Sequence, residues 1–186
     1  SNAITRMSKI IPNKQILRIM ANCQGGVISH YTGSSSSTYI EQWPTITTLQ
    51  QEIKGNNPIL VNTTEYVVYG LFNDYDDRYW DLPPTNEAFR TALELLLSRL
   101  SGLSVLLVIP AEDLDVSCFS GQGGVTQKRV LQFNKIARSL ASEYVEVLPL
   151  DSLIPPQERK VVDDVRHYSR DVWQRVGLFT QKWFTD

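Results

Sequence analysis

Three apolar runs, residues 16–21, 65–72 and 103–109, constrain the fold of this 186-residue chain more than any other feature. Each is closed by turn chemistry: Asn22-Cys23-Gln24-Gly25-Gly26, Asn73-Asp74 and Pro110. Short runs that are apolar at nearly every position suit strands buried on both faces. The segments between them carry a helical period instead. Residues 45–54 place Ile46, Leu49 and Ile53 three and four apart, and residues 85–100 place Phe89, Ala92, Leu93, Leu96 and Leu97 on one face. Residues 128–142 do the same with Val130, Leu131, Phe133, Ile136, Ala137 and Leu140, and residues 171–183 with Val172, Trp173, Val176, Phe179 and Trp183. Strands alternating with helices predict an α/β fold, three layers (α/β/α) around a central, mostly parallel sheet.

Two weaker strands complete the pattern, residues 39–43 before Pro44 and residues 144–148 before Pro149. Residues 27–31 fit either a short helix or a further strand. Behind Pro83-Pro84, Thr85 is the expected N-cap of its helix, with Glu87 in the first turn. Residues 1–14 read as a tag remnant (Ser1-Asn2-Ala3) and lead-in, and residues 15–186 as a single domain without internal repeats.

Charge and composition narrow the function classes. Eighteen Lys and Arg against twenty Asp and Glu give a net charge of −2, which speaks against nucleic acid or a membrane surface as partner. No apolar run approaches the roughly 18–20 residues of a membrane span. Two cysteines make no disulfide framework, so a reducing, cytoplasmic compartment is expected, with a removed signal peptide left open. The two His and two Cys offer no ligand spacing, and no metal site is expected.

In a parallel sheet with right-handed crossovers the strand carboxyl ends share one edge, where ligands bind. Cys23 follows the first strand, Asn73 and Asp74 follow the central one, and Asp164 and His167 precede the last helix. The edge would unite Cys23 and His167 across 144 positions (167 − 23). A thiol gains nucleophilicity from an imidazole that takes its proton, and the imidazole from a carboxylate that fixes its tautomer. Asp164 and His167, three apart, can point to one side. The Asn73 amide is a donor suited to a developing oxyanion. Each residue also has an ordinary use: free Cys is commonly buried, Asn-Asp commonly turns a chain, and Asp-x-x-His recurs by chance. Their order, each at a strand end, is what makes a set.

With these residues the chain resembles the SGNH (GDSL-like) hydrolase superfamily. The stretch Tyr66-Val67-Val68-Tyr69-Gly70-Leu71-Phe72-Asn73-Asp74 is similar to that family's third block, a strand ending in Gly-x-Asn-Asp, with two residues rather than one after Gly70. The run Asp164-Val165-Arg166-His167-Tyr168-Ser169 looks like the fifth, Asp-x-x-His before a final helix, and Gln132-Phe133-Asn134-Lys135 like the helix before the last strand. The first block departs: Ala21-Asn22-Cys23-Gln24 stands where Gly-Asp-Ser is usual. It is similar to the Gly-Asn-Cys-Gln corner of acetyltransferases of capsular polysaccharide biosynthesis. The resemblance implies an acyl-ester hydrolase or O-acetyltransferase acting on a carbohydrate, with an acyl group carried on Cys23. It requires no cofactor, while leaving acetyl-coenzyme A open as acyl donor. The second-block Gly has no counterpart in residues 43–48.

Gln24, Asp74, Tyr75 and Trp80 are the expected substrate-binding residues, since acidic and aromatic side chains beside the set could hydrogen-bond and stack on a sugar. Two other readings remain. A serine esterase could take its nucleophile from Ser34-Ser35-Ser36-Ser37, or the chain could be an SGNH-shaped carbohydrate-binding module without turnover. Cys118 and His30 read as incidental.

Overall fold

A computed structural model of the chain describes residues 15–21, 24–33, 38–42, 49, 55, 65–82, 84–114, 124–159 and 168–185. Five strands form one sheet: β1 (Gln15–Met20), β2 (Thr38–Gln42), β3 (Tyr66–Gly70), β4 (Ser104–Ile109) and β5 (Val145–Pro149). Their order is β2-β1-β3-β4-β5, and every neighbouring pair is parallel. The helices described in full are α1 (Gln24–Thr32), α2 (Asn86–Arg99), α3 (Gln127–Ser139) and α4 (Arg170–Thr185).

The layers follow from this order. From β1 the chain moves outward to β2; from β3 it moves the opposite way, through β4 to β5. Right-handed crossovers therefore put α1 on one face and α2 and α3 on the other. Helix α4 joins α1, because Gly177 of α4 lies so close to Tyr31 that a β-carbon on it would stand 2.4 Å from Tyr31 Cβ. The order reverses between β1 and β3, the switch point at which open α/β sheets hold their ligands.

Residues 27–31 belong to α1. A parallel neighbour for β1 can be reached only through a crossover, and this segment supplies it. Its buried Thr32 returns its hydroxyl to the Ile28 carbonyl at 2.7 Å. Thr85 caps α2 as expected, accepting from the Ala88 N–H at 3.0 Å, and Thr126 caps α3 in the same way. Helix α3 stops at Ser139, short of the expected residue 142, because residues 142 and 145 already exchange backbone hydrogen bonds that turn the chain into β5. Leu49 is helical and fully buried; the remainder of residues 45–54 lies outside the described residues. Among the described residues, no helix is long and apolar enough to cross a membrane.

Strand β3 divides the core. Tyr66 meets Phe184 of α4 edge-on, with ring centroids 4.9 Å apart, so its own side of the strand faces the α1/α4 layer. Val67 and Tyr69, of opposite parity, face α2 and α3. Arg18, the single break in the apolar run of β1, is buried as well; its register partners are Glu41 on β2 and Val67 on β3.

Candidate active site

The carboxyl edge of β1 and β3 is closed up by small residues. Ala21, just past β1, stands against Gly70 at the end of β3, and a β-carbon on Gly70 would come within 2.7 Å of Ala21 Cβ. The residue beyond the Gly-x-Asn-Asp pattern is Leu71, whose N–H still donates to the Val108 carbonyl at 2.9 Å. The strand thus absorbs the insertion as one more rung. A 3-10 turn, Asn73–Tyr75, follows directly.

Flanking rings hold that turn from two sides. Phe72 reaches the α4 layer, its ring 5.6 Å from Trp173 and 6.4 Å from Tyr168. Tyr75 goes the other way, 5.5 Å from Phe89 of α2 and 5.4 Å from Phe133 of α3, and those two rings stack at 4.0 Å. The Tyr75 hydroxyl donates to Asn134 Oδ1 at 2.6 Å, and the Asn134 amide donates to the Pro110 carbonyl at 3.0 Å. Asn73 and Asp74 therefore lie between two anchors that pull into opposite layers.

Tyr168, next in sequence to His167, is locked three times. Its ring packs on Phe72 and Trp173, its hydroxyl accepts from the Ala111 N–H at 3.0 Å, and its carbonyl accepts from the Trp173 indole at 3.1 Å. The chain beside His167 is thereby held against the chain beside Asn73.

Cys23, Asp164 and His167 lie outside the described residues, as do Asn22, Ser34-Ser35-Ser36-Ser37 and Cys118. Gln24 is the first residue of α1, so the helix begins immediately after Cys23. A helix N-terminus favours negative charge on a group placed there. His30 is exposed on α1, its ring edge-on to Tyr31.

The substrate-binding expectation for Asp74, Tyr75 and Trp80 is corrected. Tyr75 and Asp74 have no exposed surface and Trp80 retains 8%. Burying the Tyr75 ring on Phe89 and Phe133 stabilises more than leaving it in water, and the Trp80 indole finds its acceptor in the Asp74 carbonyl at 3.0 Å. These residues support the rim from beneath. The sequence holds one trace of this: Asn134 interrupts the apolar stripe of Val130, Phe133, Ile136 and Ala137, as a polar residue does when it serves a buried partner.

Burial raises the Asp74 carboxyl to about 7, opposed by hydrogen bonds from the Leu49 N–H and the Tyr69 hydroxyl. Burial and the nearby Asp74 charge push the Tyr75 phenol well above its ordinary value. Asp76 behaves oppositely. Burial alone would raise it, but the Arg78 guanidinium, Arg78 N–H and Gly124 N–H hold its carboxyl below the usual value. Asp76 accepts from Gly124 N–H at 3.0 Å, and Arg129 donates to the Tyr75 and Gly124 carbonyls. This cluster pins the chain entering α3 to the turn after Asn73.

The same fold occurs in solved structures. The lipase/acylhydrolase from Enterococcus faecalis superposes with a TM-score of 0.67 at 14% identity, covering 91% of this chain and 94% of that one. The chain has the fold of that lipase/acylhydrolase. A Streptococcus pneumoniae protein described as a platelet activating factor gives 0.65 at 13% identity, covering 98% and 95%. A lipolytic protein of the G-D-S-L family from Desulfitobacterium hafniense gives 0.60 at 10% identity, covering 91% and 99%. At these identities the likeness is one of fold. No family model matches the sequence, and no curated protein sequence matches it.

Proposed function

We propose that the chain is an acyl-ester hydrolase or O-acetyltransferase acting on a carbohydrate ester, working through a thioester on Cys23. The observation that carries the reading is the packing of three flanks at one rim. Ala21, two residues before Cys23, meets Gly70, and Phe72, beside Asn73, meets Tyr168, beside His167. The description of the Enterococcus faecalis neighbour as a lipase/acylhydrolase supports the acyl-ester part of this reading.

In this reading His167, oriented by Asp164, takes the proton from the Cys23 thiol. The thiolate attacks the ester carbonyl, forming a C–S bond. The Cys23 N–H and the Asn73 amide hold the oxyanion. Collapse breaks the C–O bond, and the leaving alkoxide takes the proton from His167. Water or a sugar hydroxyl, deprotonated by His167, then attacks the thioester and restores the thiolate, which is reprotonated. Gln24, at the start of α1, remains a candidate for substrate contact. Acetyl-coenzyme A is proposed as acyl donor for the transfer variant.

A serine nucleophile gains no such support. Thr38, which follows Ser37, registers with Gln15 at the start of the strands, the edge opposite Asn73. The test is p-nitrophenyl acetate turnover with iodoacetamide labelling. Turnover lost in Cys23→Ala and blocked by alkylation of Cys23 is expected. Turnover kept in Cys23→Ala but lost in Ser34→Ala or Ser35→Ala would transfer the role to the serines. Sugar binding without turnover in any form would make the chain a binding module.

A further inference from the structure

We propose that Asp74 is a positioning residue: its carboxylate fastens the main chain at Leu49 to the end of β3 and so sets the angle at which Asn73 meets the rim. This rests on the reading of Asn73 as an oxyanion donor.

Asp74 follows Asn73 directly and has no exposed surface. Its Oδ1 accepts the backbone N–H of Leu49, a residue 25 positions earlier that is itself fully buried. Its own carbonyl is occupied by the Trp80 indole. With Phe72 anchored in one layer and Tyr75 in the other, the Leu49 link supplies a third constraint on the Asn73–Asp74 peptide. A carboxylate deprived of water is retained where a specific donor compensates it. Here that donor is main chain, which ties a segment rather than a side chain. The titratable groups facing the carboxyl among the described residues are the Tyr69 and Tyr75 phenols.

The test compares Asp74→Ala, which removes the acceptor, with Asp74→Asn, whose amide oxygen can accept from the same N–H. Should Asp74→Ala not fold, Asp74→Val replaces it. In isotope-labelled protein, Asp74→Ala is expected to speed exchange of the Leu49 amide and to move the Asn73 side-chain amide resonances. It should also lower kcat on p-nitrophenyl acetate about tenfold with KM unchanged. Asp74→Asn should return all three toward wild type. An Asp74→Asn protein as impaired as Asp74→Ala, or Asn73 resonances unmoved in Asp74→Ala, would overturn the assignment. If the wild-type protein turns over no ester, the acyl-transfer reading falls, while the exchange and resonance measurements still decide the role of Asp74.

Discussion

The rings of Phe72 and Tyr168 stand 6.4 Å apart with their planes inclined at 61°, across 96 positions of chain (168 − 72). This edge-on contact joins the end of the central strand to the start of the last helix. Edge-to-face pairs of this kind contribute about 0.5–1.5 kcal/mol beyond the area they bury. Here the pair also holds the chain at Phe72, just before Asn73, against Tyr168, the residue that follows His167 in sequence.

Tyr168→Phe keeps the ring and removes the hydroxyl that accepts from Ala111 N–H. A buried donor left unpaired costs about 1–3 kcal/mol. Urea denaturation is expected to show a loss in that range for Tyr168→Phe. For Tyr168→Ala, which also removes the ring packed against Phe72 and Trp173, a loss of about 3–5 kcal/mol is expected. Equal stability of Tyr168→Phe and wild type would show that the hydrogen bond carries nothing.

Gly70→Ala would drive a methyl to 2.7 Å from Ala21 Cβ and 3.0 Å from the Phe72 ring. Overpacking of this kind costs about 1–3 kcal/mol. The double variant Ala21→Gly/Gly70→Ala removes half of the clash, and a thermodynamic cycle should show it more stable than the two single losses would add up to. Strict additivity would refute the contact.

Asn73→Ala should lower kcat for p-nitrophenyl acetate about 100- to 1,000-fold, the usual cost of losing one oxyanion donor. Steady-state kinetics beside a thermal melt would separate this from unfolding. Unaltered turnover would remove Asn73 from the chemistry.

The pH dependence of stability carries two opposed contributions. Asp74 is raised from 3.8 to about 7, so between those values the native state holds a proton that the unfolded chain has released. Its contribution to stability therefore falls as pH rises through that window and levels off above about 7. Asp76, held below its usual value by Arg78 and Gly124, contributes stability above that value and loses it as pH falls. Asp74→Asn should remove the first slope alone. Urea midpoints are expected to exceed wild type at pH 8 and to converge with it near pH 4, while a gap independent of pH would contradict the shift.

What the sequence determined by itself was the local grammar. Apolar runs without period became β1, β3 and β4; stripes three and four apart became α2, α3 and α4; Thr85 became a cap. Such features depend on neighbours within a turn or two, so they need no tertiary information, and the parallel order of the strands follows from their crossovers. The segment from Asn73 to Trp80 was decided only in three dimensions. Its acidic and aromatic residues look like an exposed binding loop until Phe89 of α2 and Phe133 of α3 cover Tyr75, and Leu49 covers Asp74. Burial there is set by partners 14 (89 − 75), 58 (133 − 75) and 25 positions away, and a desolvated carboxylate is tolerated because one of them brings an N–H to meet it.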